Sequence, residues 1–185
     1  EGWKKLKEPS NLGIAILLSI PFMIINGAIS MAIAFYLCAP LKGSFSSLQE
    51  DFSFSFALNL STLMYIAVIY IFMLIHELIH ACFIPNVLIS DKTYWGINIF
   101  YGFVFTGEKI KKGRFIIISI MPFVLLSVLL PFILDMIGLL NGYTILLCLI
   151  NAVGSSVDCL NIVLVTIQVP NGSYIVNNGF ETYFK

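Results

Sequence analysis

Only two histidines occur in the 185-residue chain, and they stand four apart, as His76 and His80, with Glu77 between them. A helix turns once in about 3.6 residues, so positions i and i+4 share a face. Two imidazoles so placed can supply two ligands to a zinc ion while the intervening carboxylate reaches a water beside the metal. The His-Glu-x-x-His pattern (HExxH, 76–80) therefore points to hydrolysis, with His76 and His80 as metal ligands and Glu77 as general base. Around it the run Tyr70 to Phe83 is almost wholly apolar. An ionisable group at the centre of a membrane helix costs about 2.5–3.5 kcal/mol on insertion scales, and such groups are functional by default. A competing reading makes the histidines interhelical hydrogen-bonding groups and Glu77 a structural ion-pair partner. Three titratable side chains in five residues of such a run favour the metal.

A hydrolytic zinc needs a third protein ligand and an open fourth position. Asp158, within Asn151-Ala152-Val153-Gly154-Ser155-Ser156-Val157-Asp158-Cys159-Leu160-Asn161, matches the depth of the histidines and is the expected ligand. Asp135 falls at the opposite face, and Glu108 and Asp91 sit in an aqueous connection. Cys159 is a rival thiolate, but adjacent residues on a helix cannot both face the ion. Gly154, Ser155 and Ser156 suit close helix approach and a hydrated pocket. Asn151 and Asn161 could orient the carboxylate or hold substrate backbone, against an ordinary interhelical role.

The elements that must position these groups follow from composition. The chain is 59% hydrophobic and 11% charged, with a mean hydropathy of +0.96. Soluble domains lie nearer half apolar and a quarter charged, so an ordinary soluble globule and intrinsic disorder are both excluded. Ten cationic and ten acidic residues give zero net charge, which supplies no field for nucleic acid. Four segments are long enough to cross a bilayer: about 12–38, 57–84, 114–140 and 143–168. Pro21, Gly27, Pro122 and Pro131 within them are expected to kink rather than end the helices. The expectation is an all-α polytopic membrane protein, residues 1–185 forming one domain of four transmembrane helices. A short β/aromatic interfacial segment, 93–105, separates helices two and three and reads as one or two strands. It could offer an edge to an extended substrate, or merely anchor aromatics at the interface. Residues 39–56 read as an aqueous loop, and Leu140-Asn141-Gly142 as a tight turn.

Lys4, Lys5, Lys7, Lys92, Lys109, Lys111, Lys112, Arg114 and Lys185 fall on one side of the four spans, and Lys42 alone on the other. The positive-inside rule then places both termini in the cytoplasm of a plasma-membrane protein. The cluster Lys109 to Arg114 reads as a headgroup anchor. No cleavable leader is expected, because the apolar run after Pro9 is too long for one. Cys38, Cys82, Cys148 and Cys159 are scattered, and read as small apolar residues rather than disulfide partners.

These motifs resemble a bacterial domain-of-unknown-function family labelled "putative zincin peptidase": His76 to Ala81, Pro122-Phe123, Gly154 to Asp158, and the tail from Pro170 through Glu181-Thr182-Tyr183-Phe184. More distantly the chain resembles the site-two protease group of intramembrane metalloproteases, although Cys159 rather than Gly follows Asp158. The resemblance implies a Zn2+-dependent intramembrane or membrane-interface peptidase that acts on a membrane-protein or peptide substrate within lipid. The alternatives are a non-catalytic metal-binding membrane adaptor or a small transporter subunit.

Overall fold

Long apolar runs free of charge become helices because a chain shielded from water must satisfy its backbone internally. The computed structural model describes residues 2–37, 60–97, 102–178 and 181–185. Cys38, Lys42, the 39–56 loop and residues 98–101 of the aromatic segment lie outside the described residues. Helix α1 is Leu12–Leu37 and α2 is Leu60–Phe83. A third rod comprises α3 (Lys112–Pro122), a π-helical stretch Phe123–Leu129, and α4 (Leu130–Met136). The fourth comprises α5 (Gly142–Gly154) and α6 (Ser156–Gln168). All four are long and apolar enough to cross a membrane. Their outward faces carry residues such as Ile24, 67% exposed, and Leu78, 60% exposed. So much exposed apolar surface is foreign to a soluble monomer.

As expected, none of the prolines ends its rod. Helix α1 runs unbroken through Pro21, and Pro131 occupies the first turn of α4, where its missing N–H costs nothing. The rod containing Pro122 stays helical but widens into the π stretch just after it. The sharper irregularity is at Ser155, where the fourth rod breaks between α5 and α6. Asn26 of α1 reaches into this break, its Nδ2 donating to the Ala152 carbonyl at 3.1 Å. Ser19 and Ser156 meet across the same interface at 3.3 Å. At the far turn Asn141 caps α5, accepting from the N–H groups of Tyr143 and Thr144.

The all-α expectation is incomplete. The aromatic segment is an antiparallel pair, β2 (Thr93–Ile97) with β3 (Gly102–Thr106), in register Thr93 to Thr106. A second sheet, in the order β1-β6-β5-β4, joins the two ends of the chain. Its strands are β1 (Lys4–Lys5), β4 (Ile110–Lys111), β5 (Tyr174–Asn177) and β6 (Thr182–Phe184). Strands of two to four residues show no readable alternation, which is why the sequence reading missed them. Leu6, Val165, Val169 and Ile175 form the small core beneath this sheet.

The first turn of α3 pins the ends of both helices that carry the candidate ligands. Arg114 Nε donates to the Phe83 carbonyl, the last of α2, at 2.8 Å. Lys112 is buried, and its Nζ donates to Thr166 O, Val169 O and Asn171 Oδ1 at 3.1, 2.6 and 3.3 Å. An ammonium at the negative end of α6 satisfies carbonyls that a helix terminus leaves open. Both residues clamp helix ends; Lys112, being buried, is not the headgroup anchor expected from the sequence, while Arg114 remains exposed.

At the termini, Lys5 Nζ and Tyr183 Oη both donate to the Glu181 carboxylate. Lys5 first, and Tyr183 second, hold the Glu181 carboxyl below the usual carboxylate range. The tie is therefore present above that range and is lost as pH falls through the lowered value. Acidification below about pH 4 should raise proteolytic nicking of the first residues in wild type, and a Lys5→Met variant should be nicked readily at neutral pH too. Lys112→Met, which strands the α6 carbonyls, should cost about 1.5–3 kcal/mol, read as a lowered unfolding midpoint in detergent.

Candidate metal centre

His76 and His80 project from the last two turns of α2, and Asp158 from the first turn of α6. His76 Nε2 stands 3.1 Å from His80 Nε2 and 3.3 Å from Asp158 Oδ2, and His80 Nε2 is 3.6 Å from Asp158 Oδ1. The rings meet edge to face, with centroids 4.8 Å apart. Among the described residues, His76, His80 and Asp158 are the one group of three His, Cys, Asp or Glu whose ligand atoms converge. For ligand atoms about 2.0–2.1 Å from a tetrahedral zinc ion, neighbours stand about 3.3 Å apart. The observed separations bracket that value.

The other nitrogen of each ring decides what the converging atoms can do. Asn151 lies fully buried in α5, with Nδ2 donating to Pro122 O at 3.2 Å and to Ser127 Oγ at 2.8 Å. Ser127 Oγ in turn donates to the Cys148 carbonyl at 2.9 Å. Both amide hydrogens are thereby spoken for, so Asn151 Oδ1 is left as an acceptor 2.8 Å from His76 Nδ1. His76 must carry its proton on Nδ1 to fill that bond. His80 Nδ1 faces the Ile118 carbonyl at 2.8 Å, again a pure acceptor. Both Nε2 atoms therefore present lone pairs to one another and to a carboxylate. This is the tautomer a metal requires, held by hydrogen bonds behind the rings. The donor set fits zinc: two imidazole nitrogens and one carboxylate, with room for a fourth ligand.

Glu77 is half-buried beside the histidines. No fully buried polar side-chain atom among the described residues lacks a partner. Glu77 makes no hydrogen bond with a described residue, so its carboxylate keeps accessible surface.

The remaining candidates are placed elsewhere. Asn151 holds an imidazole rather than the Asp158 carboxylate. Ser155 Oγ bonds back to the Asn151 carbonyl at 2.8 Å and serves the break between α5 and α6. Asn161 is half-buried and makes no hydrogen bond with a described residue. Cys159 turns to α1, where Asn26 Nδ2 lies 3.4 Å from its sulfur. Cys82 is exposed. Asp135 is exposed at the far end of α4, and Glu108 accepts from Ser90 Oγ at 2.7 Å in the β2–β3 region. Ser127 and the Ile118 carbonyl were not singled out from the sequence. A signal for Asn151 was present, because it precedes Asp158 by seven residues, two helical turns on one face.

A family model described as "putative zincin peptidase" matches residues 69–174, more than half of the chain. The protein belongs to that family. The match spans the part of α2 that carries the histidines, α3 and the rod that carries Asn151 and Asp158. Comparisons with curated proteins and with solved structures return no match.

Asn151→Ala should leave the His76 Nδ1 proton without its buried acceptor, and the Pro122 carbonyl and Ser127 oxygen without a donor. Loss of such a partner lowers metal affinity by about 10–100-fold, measurable by competition with a chromophoric chelator.

Proposed function

We propose that the protein is a zinc-dependent peptidase set in a membrane, one domain of four spans that hydrolyses peptide bonds of membrane-associated proteins. The observation that carries this reading is the convergence of two Nε2 lone pairs and the Asp158 carboxylate, with both Nδ1 protons committed to buried acceptors. Membership of a zincin-type family supports the same chemistry.

Zinc supplies Lewis acidity when bound, making water nucleophilic at neutral pH and polarising a carbonyl. The chain's own groups do the rest. His76, His80 and Asp158 hold the ion, while Asn151 and the Ile118 carbonyl keep the two lone pairs turned toward it. Glu77, unburdened by a protein hydrogen bond, takes the proton of the attacking water on a carboxylate oxygen and returns it to the leaving amine nitrogen.

The lysines support a cytoplasmic placement of this end. Lys4, Lys5, Lys111 and Lys185 lie in or beside the sheet that joins the termini, and a positive end favours the cytoplasm. His80 stands three residues before the end of α2 on that side. On this reading cleavage falls about one helical turn, roughly 5 Å, inside the cytoplasmic boundary of the plasma membrane. Lipid is the surrounding partner, and the zero net charge offers nothing to nucleic acid.

The test is metal content and peptide cleavage of the whole protein in mild detergent. Wild type should hold one zinc, and His80→Ala and Asp158→Ala should lose it. Glu77→Gln should keep the metal and lose at least a hundredfold in turnover, within the about 10²–10⁴ that general base catalysis contributes. Wild type without stoichiometric transition metal, or a Glu77→Gln variant with undiminished cleavage, refutes the peptidase. An adaptor's cellular phenotype would survive Glu77→Gln.

A further inference from the structure

An α-helix bonds each carbonyl to the N–H four residues on. For Ile118 that donor would come from residue 122, and residue 122 is proline, which has no N–H. The oxygen left over is the one that faces His80 Nδ1 at 2.8 Å. We propose that Pro122 is a positioning residue for the metal centre: it withholds the helical donor from Ile118 and so keeps that carbonyl open for His80. The proposal rests on the metal-binding reading above and adds to it a residue that touches neither ion nor substrate.

The arrangement is a ladder between two helices. The carbonyls of residues 118 and 122 stand one turn apart on α3, as His80 and His76 stand one turn apart on α2. The first carbonyl takes His80 directly. The second takes Asn151 Nδ2, and Asn151 takes His76. Pro122 is fully buried, so no bulk water competes at this height. Any other residue at 122 would bring an N–H aligned with the Ile118 carbonyl, and the imidazole would have to share its acceptor. An interior proline has no such consequence by itself: Pro21 sits inside α1 without interrupting it. Pro21 is exposed on α1 and is not among the site residues, which makes it the natural control.

A helix-interior proline is unfavourable relative to alanine. Pro122→Ala should therefore leave the metal-free fold no less stable while it weakens the metal, whereas a purely structural proline would move both quantities together. The experiment uses the whole protein in mild detergent, with zinc affinity by chelator competition, the ligand-field spectrum of the cobalt form, and the unfolding midpoint without metal. The expected result for Pro122→Ala is a 10–100-fold loss of zinc affinity, an altered cobalt spectrum, and an unchanged or higher midpoint. Lactic acid introduced at position 122 makes an ester that again lacks the N–H, and should restore wild-type affinity. This second variant decides the matter even if the alanine protein folds poorly. Pro21→Ala should bind zinc as wild type does. The proposal is overturned if Pro122→Ala binds within twofold of wild type, or if the ester variant loses as much affinity as alanine. Wild type that binds no metal is a different result, and sinks the metal centre itself.

Discussion

Two imidazole lone pairs 3.1 Å apart, with a carboxylate closing the third side, repel one another unless positive charge lies among them. That constraint organises the protein. A proton on one Nε2 could be shared with the other ring, but each ring already spends its Nδ1 proton on a buried acceptor, so such a pair would carry a full imidazolium charge. A divalent cation answers all three atoms together. The helices, their breaks and their clamps can be understood as what it takes to hold three such acceptors face to face in an apolar medium, where an unpaired polar group costs most.

Helix α3 does most of the holding. Its first turn grips the carboxyl ends of α2 and α6 through Arg114 and Lys112. Farther along, its carbonyls at Ile118 and Pro122 support the two imidazoles. The π stretch that follows brings Ser127 under Asn151, which completes the amide's hydrogen bonds and fixes its orientation. Wide turns of this kind recur at functional sites because they turn a side chain that a regular helix would direct elsewhere. On the other side, Asn26 of α1 fills the break that sets the start of α6, two residues before Asp158.

The chemistry was legible in the sequence to the extent that polar groups stood out against an apolar background. His76, Glu77, His80 and Asp158 are conspicuous for that reason, and four spans follow from hydropathy alone. What the sequence concealed was direction. Asn151 was visible as a polar residue near the aspartate, but whether it turned toward Asp158 or His76 depends on helix rotation. Pro122 read as a kink, whereas its consequence is a hydrogen-bond acceptor released one turn earlier. Lys112 read as part of a headgroup anchor because it is cationic and near a boundary, yet it is buried against the carbonyl end of a neighbouring helix. The sheet linking the termini was invisible, since pairing across the length of the chain leaves no periodic trace in strands of two to four residues.

Helix α2 packs on α3, β3 and α5, and it meets the acidic ligand only when the last span is in place. Translation delivers these parts in a fixed order. A growing chain holds both histidines while the aspartate is still unmade, and two more rods must be laid down before the triad can close. On the proposed reading, the half-built protein would carry a glutamate and two histidines but no third ligand, and the centre could not close until the fourth rod is made.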